Sequence, residues 1–119
     1  MLKLKAQFFC GDEIAMGPGK AALMEAIIRE GSISAAARAI GMSYRRAWLL
    51  VDAMNRCWAE PLVETAAGGA RGGGARLSET GVTVLAQYRA MEAAIAKAAA
   101  AGERAMAALL RPDPIPPKA

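Results

Sequence analysis

Residues 31–58 read GSISAAARAIGMSYRRAWLLVDAMNRCW, and they form the most informative stretch of the chain. The segment from Ser34 to Ile40 is rich in alanine and follows helical spacing, with Ala36 and Ala37 on one face. Such small side chains allow a second helix to cross the first closely. Gly41 then permits a sharp turn. The stretch therefore predicts a first, supporting helix followed by a tight turn.

The second segment begins at Ser43 and runs to about Cys57. Apolar residues recur in it at steps of three and four, at Ala47, Leu50, Val51, Met54 and Trp58. Ser43 is suited to cap this helix, and an arginine pair follows it directly. Two helices joined at a glycine in this way predict a helix-turn-helix, in which the second helix enters DNA. We call that second segment the reader helix.

Composition limits the possible functions of the 119-residue chain, which is long enough for one domain with an appended element. Fifteen basic and eleven acidic residues give a net charge of +4, which permits nucleic-acid binding without establishing it. The absence of histidine excludes a histidine-based triad, and two cysteines cannot form a four-cysteine zinc site. No nucleophile with a base is evident, so we expect neither an enzyme nor a bound cofactor or metal.

The start of the chain, MLKLK, lacks the apolar core of a signal peptide. No apolar run approaches the roughly 20 residues that a membrane span needs. We therefore expect a cytoplasmic protein without a membrane partner, in which Cys10 and Cys57 are reduced.

The residues before the helix-turn-helix predict a hairpin and one more helix. Partial alternation over Lys3 to Phe9 predicts a strand, Cys10 to Asp12 a turn, and Glu13 to Met16 a returning strand. Pro18 then opens a helix that Gly31 closes. Ser34 is the predicted N-cap of the supporting helix.

The residues after the reader helix predict a wing. Leu62 to Thr65 and Ala75 to Leu77 are short strand patterns, and the glycine-rich loop AAGGARGGG lies between them. That loop lacks the lysine and the following helix of a phosphate-binding loop, which excludes a nucleotide site of that kind.

A long helix is predicted from Ser78–Glu79 to about Leu110, and a loose, disordered proline-rich tail after it. Apolar residues alternate steps of four and three along this helix, which is typical of a seam between two copies of a chain. The predicted dimer contacts are Val84, Tyr88, Met91, Ile95, Ala98 and Leu109.

These elements predict a mainly α fold with a small β component. It is a winged helix-turn-helix with an N-terminal β-hairpin and a long C-terminal dimerisation helix. The predicted organisation is a DNA-binding domain over 1–78, a dimerisation helix over 79–110 and a tail over 111–119.

The segments GPGKAALMEAI, GSISAAARAIGMSYRRAWLLVDAMNR and ARLSETG resemble the N-terminal DNA-binding domain of ModE-type molybdate-responsive regulators, and the element order resembles LysR-type regulators. The resemblance covers about Lys3 to Met91, and Ser43 to Trp48 is its most specific part. It implies DNA binding, dimerisation and target genes for molybdate uptake or molybdenum enzymes. Full-length members carry C-terminal molybdate-binding modules, whereas this sequence continues only into its proline-rich tail, so we expect no molybdate binding by this chain.

Seven side chains are candidates for DNA contact. Arg45 and Arg46, in the first turns of the reader helix, are candidates for base edges, because arginine paired to guanine is the commonest specific contact. Ser43 and Tyr44 are candidates for phosphates. For Trp48 there are two equal alternatives. One is contact with a thymine methyl or the sugar-phosphate wall, and the other is packing beneath the wing or the first helix.

The wing supplies Arg71 and Arg76 as candidates for minor-groove or phosphate contact. For Arg71, simple solvation of the glycine loop is an equal alternative.

The predicted function is a sequence-specific transcription regulator that binds double-stranded DNA as a homodimer. One alternative is a constitutive or partner-controlled regulator whose ligand-binding half is a separate protein. Another is a dimerisation module that pairs with full-length regulators and binds little DNA itself. An enzyme is the weakest alternative.

Overall fold

A computed structural model of the chain describes residues 1–66 and 73–118. Within them, four helices and two antiparallel hairpins follow one another along the chain. The elements are β1 Phe8–Cys10, β2 Glu13–Met16, α1 Pro18–Glu30, α2 Ile33–Ala39, α3 Tyr44–Cys57, β3 Val63–Thr65, β4 Ala75–Leu77 and α4 Glu79–Ala107. This order confirms the predicted architecture, with α2 as the supporting helix and α3 as the reader helix.

The N-terminal hairpin is shorter than the predicted strand over Lys3 to Phe9. Its first strand starts only at Phe8 and includes Cys10, whereas the sequence pattern predicts Cys10 in the turn. Phe8 pairs with Met16 and Cys10 with Glu13 across the hairpin. Because Gly17, directly after Met16, is already the N-cap of α1, β2 has no further residues with which the chain before Phe8 could pair.

Helix α1 ends as predicted. Gly31 adopts a left-handed conformation with φ of 78°, and its N–H donates to the carbonyl oxygen of Ile27 at 2.9 Å. Ala36 and Ala37 of α2 are 0% and 1% exposed, so that helix presents small side chains to the core. Gly41, with φ of 69°, makes the turn into α3. The structure therefore contains the helix-turn-helix that the alanines and glycines of this stretch predict.

The predicted N-cap of α2 is wrong by two residues. The Ser32 hydroxyl accepts a hydrogen bond from the Ala35 N–H at 3.1 Å, and the helix begins at Ile33. Ile33 is 4% exposed, and its burial in the core places it inside the first turn. Ser34 therefore lies within the helix, and its hydroxyl is 3.5 Å from that of Ser32.

The wing, formed by β3 and β4, is joined to the end of α1. Val63 pairs with Leu77 and Thr65 with Ala75 in an antiparallel register. The N–H of Ala75 donates to the carbonyl oxygen of Gly31 at 2.8 Å, which joins the wing to the end of α1. The two predicted strands are thus present, and the first begins one residue later than expected.

Helix α4 has 29 residues and a length of about 43 Å. Its first turns pack on the core, where Leu85 is 7% exposed and Tyr88 is 2% exposed. The Tyr88 hydroxyl donates to the carbonyl oxygen of Ala6 at 2.7 Å. Tyr88, predicted for the dimer seam, is therefore a core residue of its own chain, and Val84 and Met91 of the same seam also pack partly against that core.

An ion-pair cluster ties α4 to α1. The Arg89 guanidinium donates to both carboxylate oxygens of Glu25, at 3.1 and 2.6 Å, and to Glu92 at 2.7 Å. The hydrogen bonds from Arg89 lower the pKa of Glu25 below its ordinary value. This attachment sets the direction in which α4 leaves the domain.

Beyond this cluster α4 projects from the domain. The exposed residues of this part include Ile95, Ala98 and the whole stretch from Ala101 to Lys118. The helix ends at Ala107, three residues before the predicted end, and residues 110–118 form no helix or strand. Throughout 1–66 and 73–118, no helix combines the length and apolar character needed to span a membrane.

Candidate nucleic-acid interface

The two faces of the reader helix α3 differ sharply. Ala47, Val51 and Met54 are at most 1% exposed and hold the helix against the core. Arg45 and Arg46, in the first turn, are exposed on the other side. Anchoring of one face by the core thus leaves the N-terminal turn open to a ligand.

The start of α3 is built by its cap. The Ser43 hydroxyl accepts a hydrogen bond from the Arg46 N–H at 3.1 Å, as the sequence predicted. Ser43 itself remains exposed, so its hydroxyl can also face a group in front of the helix. Backbone N–H groups and the helix dipole make such an end favourable for a phosphate.

Arg45 and Arg46 have no acidic partner among the described residues. In the part of the chain that the structure describes, the arginine ion pairs involve Arg56, Arg76 and Arg89. The guanidinium groups of the first turn of α3 are therefore not engaged by carboxylates of their own chain. They are available to an external acceptor without the loss of an existing ion pair.

An aromatic pair lies beside these arginines. The rings of Tyr44 and Trp48 meet edge to face with centroids 6.1 Å apart, and the two side chains are 55% and 38% exposed. A groove runs between the start of α2, this aromatic pair and the base of the wing. Its lining residues include Ser32, Ser34, Tyr44, Trp48, Thr65 and Gly74. Trp48 therefore lies at the rim of the groove between the reader helix and the wing, partly packed and partly accessible.

The wing carries one described candidate. Arg76 on β4 forms a cross-strand ion pair with Glu64 at 3.1 Å, and its side chain is 83% exposed. So exposed a pair contributes little stability, and Glu64 can be exchanged for another acceptor at small cost. The other predicted wing residue, Arg71, lies outside the described residues.

Asn55 positions the wing, a role that the sequence patterns do not predict. Its Oδ1 accepts hydrogen bonds from the N–H groups of Leu62 and Val63 at 2.9 and 3.0 Å, and its Nδ2 donates to the Val63 carbonyl oxygen at 3.0 Å. One side chain of α3 therefore holds the start of β3. The available signal was an amide late in the reader helix, four residues after the buried Val51.

A second residue that the sequence patterns do not single out is Lys20 on helix α1. It is 8% exposed, and its burial lowers the pKa of its ammonium group. The nearby Arg46 lowers that pKa further, whereas Glu13 and Cys57 act in the opposite direction. Lys20 is thus a largely buried cation on α1 whose charge interacts with Arg46 at the start of α3 and with Glu13 and Cys57 near the end of that helix.

A helix-turn-helix followed by a two-stranded wing and a long helix defines the winged helix-turn-helix class. The fold is similar to that of the full-length LysR-type regulator LysG from Corynebacterium glutamicum with bound effector arginine, with a TM-score of 0.56 and 25% identity. The similarity covers 77% of this chain and 30% of LysG. No family model matches the chain.

Several proteins of known name are similar to this chain in sequence. The chain is 48% identical over 91 residues to the molybdenum-pterin-binding protein MopB of Rhodobacter capsulatus, covering 76% of this chain and 34% of MopB. It is 46% identical over 78 residues to the molybdenum transport protein ModE of Azotobacter vinelandii, covering 66% of this chain and 29% of that protein. Identity to the DNA-binding transcriptional dual regulator ModE of Escherichia coli K12 is 37% over 87 residues, covering 73% of this chain and 31% of the regulator.

The chain spans about a third of the length of these relatives. It is a homologue of the N-terminal ~30% of the ModE, MopA and MopB proteins. The resemblance inferred from the sequence is thereby confirmed. These relatives are named as a molybdenum-pterin-binding protein, a molybdenum transport protein and a DNA-binding transcriptional regulator.

Proposed function

We propose that this chain is a sequence-specific DNA-binding module that acts in transcription regulation as a homodimer and serves molybdenum metabolism. The observation that carries the DNA-binding part is the exposed first turn of α3, in which Arg45 and Arg46 have no carboxylate partner among the described residues. Homology to regulators named as DNA-binding supports the same function. A regulator of this kind works at the chromosome, so the proposal includes a cytoplasmic location.

The reader helix would enter the major groove with its N-terminal turn first. Arg45 and Arg46 would donate paired hydrogen bonds to guanine O6 and N7, each such pair contributing about 1–3 kcal/mol of discrimination. Ser43 and Tyr44 would bind phosphates and so set the register of the protein on the duplex. Trp48, at the groove rim, would contact a thymine methyl group or the sugar-phosphate wall.

The wing would add contacts beside the reader helix. Arg76 would exchange Glu64 for a phosphate or enter the minor groove, and Arg71 is proposed for the same role on sequence grounds alone. Lys20 would add to the positive potential near Arg46, which favours encounter with DNA in a manner that weakens as salt rises.

The homodimer would form through the projecting part of α4. The proposed contacts are the exposed Ile95 and Ala98 on α4 and the exposed Leu109 just beyond its end. Val84 and Met91 would contribute only their uncovered parts. Tyr88 would not take part in the dimer contact, because its side chain is buried in its own chain. Paired α4 helices would present two reader helices to successive major grooves about 34 Å apart, on an imperfect inverted repeat.

The link to molybdenum rests on the names of the relatives, which include a molybdenum transport protein and a molybdenum-pterin-binding protein. The genes controlled would be those of molybdate uptake or molybdenum enzymes. We expect the control signal to reach this chain through another module or protein, and not through molybdate bound to the chain itself.

The test is fluorescence anisotropy of the purified chain with DNA from its own upstream region and with a scrambled duplex of equal length. We expect tighter binding to the native duplex, weakened by salt and unchanged by molybdate. The double variant R45A/R46A should lose most of this preference, with at least about a tenfold weaker affinity for the native duplex.

The matched control is R104A/R111A, which removes the same charge from exposed positions outside the reader helix. It should bind the native duplex nearly as well as the unaltered chain. Full sequence preference in R45A/R46A would refute the assignment of the reader turn. Equally weak binding of both duplexes by the unaltered chain would favour the alternative of a module that pairs with full-length regulators.

A further inference from the structure

The two cysteines lie at the ends of two elements that meet in the fold. Cys10 is the last residue of β1 and Cys57 the last residue of α3. Both are free thiols, Cys10 exposed and Cys57 partly buried. The segment between them contains the second strand of the hairpin and the whole helix-turn-helix.

Contacts on both sides of Cys57 hold the end of α3 against the N-terminal hairpin. Before it, the Arg56 guanidinium donates to a Glu13 carboxylate oxygen at 2.9 Å, and Glu13 is the cross-strand partner of Cys10. After it, the Trp58 indole N–H donates to the Ala15 carbonyl oxygen at 3.0 Å. Cys57 is therefore fixed between two residues that are each attached to the strand paired with β1.

An aromatic contact strengthens the same junction. The rings of Phe8 and Trp58 meet edge to face with centroids 6.3 Å apart. Phe8 lies on the strand that carries Cys10, so both strands of the hairpin are held against the residues around Cys57. The position of one thiol relative to the other is thus set by contacts that do not involve sulfur.

The two cysteines are thereby brought to one junction, because Glu13, which pairs with Cys10 across the hairpin, is bound by the residue directly before Cys57. Partial burial raises the pKa of the Cys57 thiol, and the neighbouring Cys10 raises it further. Cys57 is also the less accessible of the two thiols towards an oxidant in solution. The exposed Cys10 is the thiol that such an oxidant meets first.

We propose that Cys10 and Cys57 form a redox-sensitive dithiol site, which a hydroperoxide converts reversibly into an intrachain disulfide. The Cys10 sulfur attacks the hydroperoxide, the O–O bond breaks, and Cys10 becomes a sulfenic acid as an alcohol or water leaves. The Cys57 sulfur then attacks the Cys10 sulfur. The S–S bond forms, the S–O bond breaks, and the hydroxyl departs as water with the Cys57 proton.

A dithiol reductant restores the two thiols by exchange through a mixed disulfide. The oxidised state closes a covalent loop around the whole helix-turn-helix. Because this restricts the unfolded chain more than the folded one, the disulfide should stabilise the fold. Transient disulfides of this kind are the form in which cysteine pairs act as redox sensors in reducing compartments. The inference is independent of the proposed DNA binding.

The test treats the reduced, purified chain with one equivalent of hydrogen peroxide and measures intact mass, free thiols and melting temperature. We expect a mass loss of about 2 Da, the disappearance of both thiols, and a melting temperature higher by several degrees. Dithiothreitol should reverse all three changes. Peptide mapping of the oxidised chain should recover the Cys10 peptide joined to the Cys57 peptide.

Serine variants separate the roles of the two sulfurs. C57S should accumulate a sulfenic acid at Cys10 that dimedone traps, whereas C10S should keep its thiol under the same treatment. Two unreacted thiols in the unaltered chain would overturn the proposal. So would over-oxidation of Cys10 alone, or disulfide-linked pairs of chains in place of the intrachain bond. Peptide mapping of the unaltered chain decides the question even if a variant does not fold.

Discussion

At the residue scale, identical residue types have different roles because their surroundings differ. Gly81 and Gly102 both lie in α4, where glycine is unfavourable to helix formation. A Cβ at Gly81 would collide with the backbone carbonyl group of Leu62, whereas a Cβ at Gly102 would meet no atom within 4 Å. Gly81 therefore allows α4 to cross the start of β3, and Gly102 has no such role among the described residues.

Replacing each glycine by alanine should have opposite effects. G81A should lower the free energy of unfolding by about 1–3 kcal/mol, because backbone must move to accommodate the methyl group. G102A should raise it by about 0.5–1 kcal/mol, because alanine reduces the entropy lost on helix formation. Urea denaturation followed by circular dichroism at one protein concentration measures both. Equal effects of the two substitutions would contradict this account of Gly81.

The arginines show the same dependence on surroundings. Arg56 and Arg89 each bind two carboxylates, while Arg45 and Arg46 bind none in the described structure. The sequence identifies all of them as positive charges and cannot say which are engaged. The partners Glu13 and Glu25 are distant in sequence, and only the folded chain brings them to Arg56 and Arg89.

At the element scale, each helix start is set jointly by a capping side chain and by the core. Ser43 caps α3 and Ser78 caps α4 as expected, since apolar residues follow both at the right distance. Ser32 and Ser34 are equally good caps by residue type. Burial of Ile33 selects Ser32, because that side chain must lie within the first turn to reach the core.

Alanine substitution of the two serines should distinguish them. S32A should lower the free energy of unfolding by about 1 kcal/mol, because the Ala35 N–H loses its acceptor. S34A should change it by less than about 0.5 kcal/mol. Thermal and urea unfolding of the two variants measure the difference. A larger loss in S34A than in S32A would show that the helix starts where the sequence alone suggested.

At the scale of the whole molecule, α4 makes the protein elongated, with principal extents of 60, 32 and 28 Å. The helix begins in the core beside Leu85 and Tyr88, is anchored by Arg89 to Glu25, and then leaves the domain. Its apolar pattern continues unchanged across this boundary. The apolar residues of this helix therefore pack against their own domain at its start, whereas those farther along are exposed.

A charged side chain on the exposed part of the seam should weaken the proposed homodimer. I95E should raise the dimer dissociation constant by at least about tenfold, because two carboxylates would be buried without partners at the paired helices. Sedimentation velocity over a range of concentrations measures this. The control is A93E, on the opposite side of α4 and also exposed, which should leave dimerisation unchanged. A monomeric unaltered chain, or equal weakening by both variants, would contradict the proposed interface.

Local sequence patterns predict the order of the elements, the helix-turn-helix and the exposed first turn of the reader helix. These follow from apolar spacing, from glycines at Gly31 and Gly41, and from capping serines, all of which act over a few neighbouring residues. The family resemblance could likewise be seen in the sequence, because the reader helix and its flanks carry the matching segments.

Tertiary contacts set the length of β1, the cap of α2, the position of Tyr88 and the attachment of the wing by Asn55. Each depends on a partner from elsewhere in the chain: Met16 at the end of β2, the core around Ile33, the carbonyl oxygen of Ala6, and the backbone of β3. Local patterns state which residues prefer burial or a hydrogen bond. They do not state which distant group provides it, because that is fixed only when all elements pack together.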